Sequence, residues 1–483
     1  MEKLADIKNN FPQWYQDIVY KAELADQSPS PGFFVIRPYG YALWENIKQV
    51  LDKKIKDTGT QNAYFPILIP ESFLKKEEKH VEGFAPELAV VTHAGGKKLE
   101  EPLVVRPTSE TIIYDMFSKW IKSWRDLPFK INQWANVVRW EMRPRAFLRS
   151  REFLWQEGHT AHRNLPEATQ MAKEILDLYK NFIEEHLAIP VIAGEKSETE
   201  RFAGASNTFT MEALMQDGKA LQMGTTHILL QSFSKAFNIL FQDKDNSMQS
   251  PYCTSWGLST RLIGALIMVH GDQNGLVMPP RIAPIQVVII PIVPSKKTEQ
   301  AETLKNVVAD KVNKLKDWLT QKNIRVHVDN DPHKSPGAKF FHWEMRGVPI
   351  RVEIGPKDLE AGVVAIAKRL KYDNEKKKDF VDFGSAPEVI EGLLLQIQKD
   401  MFKRAGENLH NQWYQADKLE NFGPKLEKDN GIYQSGWCGR KECEDKLKPC
   451  KGTIRCLVEG KVHSTCFACE KESKHEVLIA KAY

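Results

Sequence analysis

Residues 137–159 hold closely spaced charged and aromatic side chains that could bind a phosphate chain. Two strand-like runs, Val137–Trp140 and Phe153–Trp155, flank a turn-like stretch, and side chains two apart on a strand lie on one face. Guanidinium groups are planar and always charged, so they suit a reaction in which negative charge develops on a phosphate. A surface hairpin with alternating charges is the simpler alternative. An antiparallel hairpin would gather Arg139, Glu141, Arg149, Phe153, Trp155, Glu157 and His159.

A cysteine cluster near the end of the chain points to a metal site, because six of the seven cysteines lie between Cys438 and Cys469. The pairs Cys438-x4-Cys443 and Cys466-x2-Cys469 follow the usual pattern of a tetrahedral four-sulfur zinc site. With all four positions filled by thiolates, the zinc would be structural. A group of buried free thiols is the alternative. The competing ligands are Cys450, Cys456 and, more weakly, His463.

Length and composition are those of a globular protein with more than one core. A chain of 483 residues is too long for one ordinary core, and its 42% apolar and 27% charged residues are typical of soluble proteins. No apolar run reaches the roughly 20 residues that a membrane span needs, and the N-terminal residues lack a signal or transit pattern. We therefore expect a cytoplasmic protein with no membrane partner. The formal net charge of +5 permits a nucleic-acid partner without requiring one.

The chain divides into three stretches that must position these residues, and we predict an α+β multidomain fold. Residues 1–280 contain short strand-like runs around an amphipathic helix at Leu165–Leu187. Residues 281–402 alternate strand and helix patterns, beginning with a buried strand at Val287–Ile290, which predicts an α/β domain with a mixed sheet. Residues 403–483 follow a long helix pattern and hold the cysteine cluster.

Three motifs, in order along the chain, resemble those of class II aminoacyl-tRNA synthetases. Residues 139–153, with Arg-x-Glu, a loop and then Arg-x3-Phe, resemble motif 2 of that class. Residues 257–261 (Gly-Leu-Ser-Thr-Arg), which run into an apolar helix, resemble motif 3. Residues 58–68 resemble motif 1, whose proline lies at the dimer interface in that class. Each motif alone is a modest signal, but all three in this order are hard to obtain by chance.

The resemblance implies an antiparallel catalytic sheet and a reaction in which an amino-acid carboxylate attacks the α-phosphate of ATP, with Mg²⁺ bridging the phosphates. It makes Arg139 and Arg261 the catalytic residues, with Arg139 gripping both the α-phosphate and the amino-acid carboxylate. Phe153 and Arg261 would sandwich the adenine. The implied ATP-binding residues are Arg139, Glu141, Arg149, Ser150, Phe153, Gln222, Thr225 and Arg261.

Further residues resemble the proline pocket of prolyl-tRNA synthetases. Thr108 and Glu110, within Arg-Pro-Thr-Ser-Glu, resemble the loop that reads the amino-acid ammonium, and together they could accept both N–H hydrogens of proline. For Trp155 and Phe202 the alternative is core packing, and for the histidines it is an ordinary structural role. The implied proline-binding residues are Thr108, Glu110, Arg139, Trp155, Glu157, His159, Phe202, His227 and Ser259.

Two features place the chain in the archaeal and eukaryotic-like type of that family. The interval between motifs 2 and 3 leaves no room for the large editing insertion of the typical bacterial form, and the cysteine-rich tail marks the other type. This type implies an anticodon-binding domain at 281–402, a zinc-binding domain at 403–483, a proline tRNA partner and a homodimer. We expect detectable activation of alanine or cysteine, because apolar fit discriminates small side chains by only about 1–3 kcal/mol.

Charged residues of the second stretch could contact unstacked tRNA bases and phosphates, although solvated surface charge is the alternative. Rival functions are a class II synthetase for threonine, glycine or histidine, a synthetase-like tRNA binder without catalysis, and a zinc-finger regulator. The proline-like pocket argues against the first and the three arginines against the second, while the third ignores the first 400 residues. The candidate tRNA contacts are Lys334, Lys339, Glu344, Arg346, Arg351, Glu353 and Lys357.

Overall fold

The structure, a computed structural model, describes residues 3–74, 88–293, 298–371 and 378–483. Its helices are α1 (Phe11–Lys21), α2 (Pro38–Asp57), α3 (Glu71–Leu74), α4 (Glu110–Trp120), α5 (Leu165–Leu187), α6 (Ser232–Ala236), α7 (Arg261–His270), α8 (Glu299–Gln321), α9 (Pro336–Met345), α10 (Pro356–Glu360), α11 (Ala386–Asn411), α12 (Leu419–Asp429) and α13 (Lys441–Glu444). Within these ranges, none of the helices combines the length and apolar character that crossing a bilayer requires.

The strands form one long sheet and several smaller ones. They are β1 (Ala25–Gln27), β2 (Phe34–Ile36), β3 (Gln61–Asn62), β4 (Leu68–Pro70), β5 (Ala89–Ala94), β6 (Lys97–Val105), β7 (Phe129–Val138), β8 (Glu152–His162), β9 (Ile192–Glu195), β10 (Asn207–Leu214), β11 (Ala220–Leu230), β12 (Phe241–Gln242), β13 (Met248–Gln249), β14 (Tyr252–Ser259), β15 (Val287–Pro291), β16 (Val326–Val328), β17 (Ile350–Ile354), β18 (Val363–Lys368), β19 (Asp379–Asp382), β20 (Trp413–Gln415), β21 (Ile432–Trp437), β22 (Thr453–Val458) and β23 (His475–Ala480).

Helix α5 shows how local sequence defines these elements. The Asn164 side chain caps it by accepting from the Glu167 amide at 3.0 Å, and Pro166 lies in its first turn. The helix ends at Ala188, whose backbone is left-handed. Its apolar face is buried against β8, β11 and β14, so the amphipathic helix predicted at Leu165–Leu187 is confirmed.

The long sheet has eleven strands in the order β20-β21-β23-β22-β9-β10-β11-β14-β8-β7-β3. Its neighbours are antiparallel except for the outermost pairs at each edge, β20 with β21 and β3 with β7. The largest apolar core is formed by α1, α2, α5 and α7 together with inward residues of β10, β11 and β14. Because side chains alternate along a strand, the opposite face of the same strands is left for polar residues.

A second, five-stranded sheet follows the order β16-β15-β17-β18-β19. β15 pairs in parallel with β16 and β17, and the remaining neighbours are antiparallel, so the predicted mixed sheet is confirmed. Helix α8 follows β15, in agreement with the predicted alternation of strands and helices, and Thr298 caps it by accepting from the Ala301 amide at 3.2 Å. The α+β multidomain fold class is confirmed by these two sheets and their helices.

The second sheet contacts the first part of the chain through ion pairs. Arg369 donates to both carboxylate oxygens of Asp272, at 2.6 and 2.8 Å. Arg346, a candidate tRNA contact, instead forms an ion pair with Glu23 and lies largely buried. Lys339, another candidate, is buried, and its ammonium donates to the Asp329 carbonyl at 2.8 Å. These two cations therefore have structural roles that their sequence did not indicate.

Candidate active site

A cavity of about 230 Å³ opens on the face of the long sheet that the helices leave uncovered. Strands β8, β11 and β14, the loop before α4 and the start of α7 surround it. Most of the predicted site residues line it: Thr108, Glu110, Arg139, Phe153, Trp155, Glu157, His159, Phe202, Gln222, Thr225, His227, Ser259 and Arg261.

Arg139 lies where β7 gives way to a loop. The predicted strand through Trp140 is wrong beyond Val138, because the ladder between β7 and β8 ends at that residue. The Arg139 Nε instead donates to the Pro107 carbonyl at 3.0 Å. Its guanidinium carbon lies 5.5 Å from the centre of the Phe153 ring and 5.6 Å from that of Trp155. In a strand, the alternation of side chains would fix the face to which Arg139 points. In the loop, its guanidinium can lie over two aromatic rings.

Arg261 is the first residue of α7 and lies half-buried in the cavity wall. Burial, together with the nearby cations Arg149 and Arg139, lowers its pKa to about 10. Its guanidinium donates only to backbone carbonyls in the hydrogen bonds described, those of Leu148 and Gln222, each at 3.4 Å. The guanidinium groups of Arg139 and Arg261 in the cavity wall, the latter at a helix N-terminus and with the charge of Arg149 nearby, favour an anionic ligand, and a triphosphate fits this requirement.

Three predicted ATP-binding residues lie outside the cavity lining. Arg149 forms an ion pair with Glu141 at 3.1 Å and also donates to the backbone oxygen of Tyr483 at 3.0 Å. Ser150 is buried, and its hydroxyl donates to the Glu152 carbonyl at 2.7 Å. The contact between residues 149 and 483 was not predicted, since no local pattern links positions so far apart in sequence.

At the other end of the cavity, two carboxylates are held by buried hydrogen bonds. Thr108 donates to Glu110, and both are buried. Glu157 lies 3.0 Å from His159 Nε2. Burial raises the pKa of Glu157, but hydrogen bonds from His159 and from Ser109 outweigh it and lower that pKa. Burial lowers the pKa of His159, but the bond to Glu157 and the charge of Glu110 outweigh it and raise that pKa, so both shifts favour the ionised form of the pair.

His227 and Phe202 form the opposite wall. Their ring centres lie 4.5 Å apart, and hydroxyls of Thr208 and Thr225 lie 3.0 Å from the two His227 nitrogens. Burial, with the charge of His159, lowers the pKa of His227 to about 3, so this imidazole is neutral. Further lining residues were not predicted, although two of them directly precede Phe202; they include Glu200, Arg201, Thr208 and Ser255.

A β-bulge places two predicted residues on the same face. Thr210 pairs with Thr225, but Glu212 pairs with Gln222, so Met223 is an extra residue on β11. Met223 belongs to the core cluster beneath and also borders the cavity, and Gln222 and Thr225 both line it despite their odd separation.

The cysteine cluster is assembled at the far end of the long sheet. Cys438, Cys443, Cys466 and Cys469 have sulfur atoms that all lie within 4.8 Å of one another. The separation is 3.6 Å for the first pair and 3.8 Å between Cys438 and Cys469. A tetrahedron with zinc–sulfur bonds of about 2.3 Å has edges of about 3.8 Å, so these positions fit zinc. Among the described residues, the competing candidates Cys450, Cys456 and His463 lie outside this cluster.

The antiparallel sheet, with an arginine-rich, aromatic-walled cavity on one face, defines the catalytic core of a class II aminoacyl-tRNA synthetase. Three protein-family models match the chain: the tRNA synthetase class II core domain (G, H, P, S and T) at residues 92–270, the anticodon binding domain at 286–393, and the prolyl-tRNA synthetase C-terminal domain at 419–483. The chain belongs to the prolyl-tRNA synthetase family.

Similarity to curated relatives extends over the whole chain. The proline–tRNA ligase of Acetoanaerobium sticklandii is 50% identical, with 100% of this chain and 98% of the relative aligned. The proline–tRNA ligase of Borreliella burgdorferi strain ZS7 is 49% identical, with 99% of each chain aligned. A crystal structure of the Cryptosporidium parvum prolyl-tRNA synthetase, complexed with halofuginone and AMPPNP, is 38% identical, with a TM-score of 0.92 over 99% of both chains. The enzyme activates proline with ATP and transfers the prolyl group to tRNA.

Proposed function

We propose that ATP and proline occupy opposite ends of the 230 Å³ cavity, with Arg139 between them. The supporting observation is the position of its guanidinium carbon, 5.5 Å from the Phe153 ring on the nucleotide side and 5.6 Å from the Trp155 ring on the proline side. One cation can then bind both the α-phosphate and the carboxylate that attacks it. The related Cryptosporidium parvum enzyme was crystallised with AMPPNP, an ATP analogue.

At the nucleotide end, Phe153 and Arg261 would hold the adenine between a ring and a cation. Glu141, Arg149 and Ser150 would complete this end once the triphosphate displaces Arg149 from its ion pair. The remaining contacts to ATP would come from Gln222 and Thr225. The synthetase uses ATP with Mg²⁺.

At the proline end, Thr108 and Glu110 would bind the secondary ammonium, since a carboxylate and a hydroxyl can accept its two N–H hydrogens. The ionised pair of Glu157 and His159 would form the polar floor of the pocket. Its apolar walls and remaining contacts would be Trp155, Phe202, His227 and Ser259.

Pyrophosphate exchange tests these assignments. With a panel of amino acids, wild-type exchange should depend on proline, and Arg139→Ala should lower it by about 10²–10³-fold, the usual loss when a preorganised transition-state contact is removed. Arg125→Ala, which removes an exposed guanidinium elsewhere, is the matched control. Full exchange in the Arg139 variant would refute the central role of this residue.

We also propose that Cys438, Cys443, Cys466 and Cys469 hold one structural zinc ion, as the four-sulfur geometry supports. With thiolates in every position, the ion would stabilise the tail and take no part in the reaction. A homodimer through residues 58–68 is proposed from the motif 1 resemblance and from Tyr64, which is 73% exposed there.

Residues 1–280, 281–402 and 403–483 are proposed as the catalytic, anticodon-binding and zinc-binding parts, each with an apolar cluster drawn mainly from its own residues. The cytoplasmic location and the activation of alanine or cysteine stay predictions.

A further inference from the structure

The peptide group of Phe65 is held from both sides by buried polar side chains. Phe65 is 3% exposed, and it directly follows Tyr64 in the proposed dimer segment. Its amide donates to Gln133 Oε1 at 2.6 Å, and its carbonyl accepts from the Arg106 guanidinium. Neither Gln133 nor Arg106 lines the cavity, and the substrate-binding assignments above leave both without a role.

Gln133 connects Phe65 to the proline end of the cavity by hydrogen bonds. Because its oxygen accepts from the Phe65 amide, its nitrogen must face the other way. That nitrogen donates to Glu157 Oε1 at 2.9 Å and lies 3.3 Å from the Ser109 hydroxyl. Ser109 itself donates to the same Glu157 oxygen. Gln133 therefore supplies one of the hydrogen bonds that keep this buried carboxylate ionised and oriented.

Arg106 connects the same segment to the ammonium-reading loop. Its side chain is fully buried, and besides Phe65 it donates to the Asn136 carbonyl at 2.9 Å. Its own amide donates to the Ile67 carbonyl at 2.9 Å. The next residue, Pro107, accepts from Arg139 Nε at 3.0 Å. The segment 65–67 is thus tied through one arginine to the loop carrying Thr108 and Glu110, and to Arg139.

We propose that Gln133 and Arg106 are positioning residues that fix the proline pocket from the segment 65–67. Gln133 would set the Glu157 carboxylate, and Arg106 would set the loop at 106–110. Both act without touching the substrate, so their loss should weaken proline binding more than ATP binding. This inference rests on the proposed assignment of Glu157 and Glu110 to the proline end.

Gln133→Met removes the amide at nearly constant volume, and Gln133→Glu keeps an acceptor for Phe65 but places a second carboxylate against Glu157. In proline-dependent pyrophosphate exchange, each should raise the KM for proline by about tenfold or more, because a hydrogen bond to a buried charged group is lost. The KM for ATP should stay unchanged. Arg106→Lys keeps the charge but loses the forked geometry, and it should show the same selective rise.

Gln156→Met is the matched control. Gln156 is equally buried on the neighbouring strand, but its amide lies within hydrogen-bond distance of Asn132 and Tyr179 on the other face. Its loss should lower the melting temperature without a selective change in the KM for proline. The proposal is overturned if the Gln133 variants change both KM values equally, or change only the melting temperature.

Glu157→Gln separates this proposal from the site assignment on which it rests. An unchanged KM for proline in Glu157→Gln would mean that the assignment of the pocket is wrong. A raised KM there, with normal values in the Gln133 and Arg106 variants, would refute only the positioning role. If those variants fail to fold, Ser109→Ala is the deciding variant, because it removes a single donor to Glu157. It should raise the KM for proline selectively. An unchanged KM would overturn the proposal.

Discussion

At the scale of single residues, Arg261 combines a proposed catalytic role with an unfavourable environment. Burial and two neighbouring guanidinium groups lower its pKa to about 10, so the folded protein holds this charge at a cost. We predict that Arg261→Gln lowers kcat in pyrophosphate exchange by about 10²–10³-fold. The free energy of unfolding, measured with urea, should not fall, because functional sites often hold groups at a cost in stability.

The control for this prediction is Arg125→Gln, which removes an exposed arginine and should alter neither quantity. A large loss of stability in Arg261→Gln would contradict the interpretation, because it would show that this arginine mainly supports the fold.

The Glu157–His159 pair gives a pH dependence with a defined sign. The pKa of Glu157 is lowered. Its contribution to the free energy of unfolding is therefore full above the ordinary value of 4.5 and is lost as the pH falls through the lowered pKa. The pKa of His159 is raised, so its contribution is full below 6.5 and is lost as the pH rises through the raised pKa. We predict that the pair stabilises the protein most between pH 4.5 and 6.5.

Urea unfolding of wild type and of the double variant Glu157→Gln/His159→Gln, compared across pH, measures this contribution. Groups remote from the pair titrate equally in both proteins, so they cancel in the difference between the two free energies. A difference that stays constant from pH 4 to pH 9 would show, in conflict with the prediction, that the pair is not ionised in the folded protein.

At the scale of elements, the close packing of β8 on β14 requires a glycine between two pocket residues. A Cβ on Gly158 would lie 2.1 Å from the outer ring of Trp256. Gly158→Ala should therefore lower the free energy of unfolding by about 1–3 kcal/mol, the usual cost of overpacking. The cost should shrink when Trp256→Phe removes the outer ring, and a double-mutant cycle by urea denaturation measures this coupling.

Gly392→Ala is the comparison substitution, because a Cβ there meets no atom within 4 Å and the residue lies inside α11. It should raise stability by about 0.5–1 kcal/mol through helix propensity alone. Equal destabilisation by Gly158→Ala with and without Trp256 would rule out the proposed clash.

Element-level prediction from the sequence worked where the signal was local. The helix at Leu165–Leu187 agrees with its predicted bounds, and the strand predicted at Val287–Ile290 runs one residue further, to Pro291, because the signals for both lie within the segments themselves. The strand through Trp140 was wrong because pairing with β8 ends at Val138, and the chain then turns through contacts with residues 107 and 151. The bulge at Met223 was missed for a similar reason, since it is defined by the partner strand.

At the scale of the whole molecule, the tail is part of the catalytic sheet. β22 pairs with β9 through Leu457 and Glu195, so strands after residue 430 extend a sheet that began near residue 61. The sequence predicted the cysteine cluster from its spacing but not this continuity, because pairing across more than 250 residues leaves no local pattern. The residue types of the candidate site were predictable because the motifs that contain them are local in sequence. Its supporting contacts, such as that of Tyr483 with Arg149, were not.

A buried charge network reinforces this continuity. Glu212 of β10 lies 2.8 Å from the Lys196 ammonium and accepts from Arg455 of β22 at 2.9 and 3.1 Å. All three are almost fully buried, and such a network is destabilised strongly when one partner is removed. Unfolding of the tail would leave Glu212 with only one of its two cations in a region of low dielectric. The tail and the catalytic strands should therefore unfold together.

Removing the proposed zinc ion tests this cooperativity. Treatment with a chelator should lower the melting temperature, and hydrogen exchange should lose protection in β21–β23 and also in β9 and β10, because the sheet is continuous. Cys466→Ala should reproduce the effect, whereas Cys450→Ala should keep one zinc per chain, because its sulfur donates to the Leu447 carbonyl instead. Arg455→Met, which breaks the network while retaining zinc, should separate the two events, so that chelation then deprotects the tail alone. If chelation already deprotects only the tail in the wild-type enzyme, the two halves of the sheet unfold independently although their strands are paired. The buried network would then not couple them.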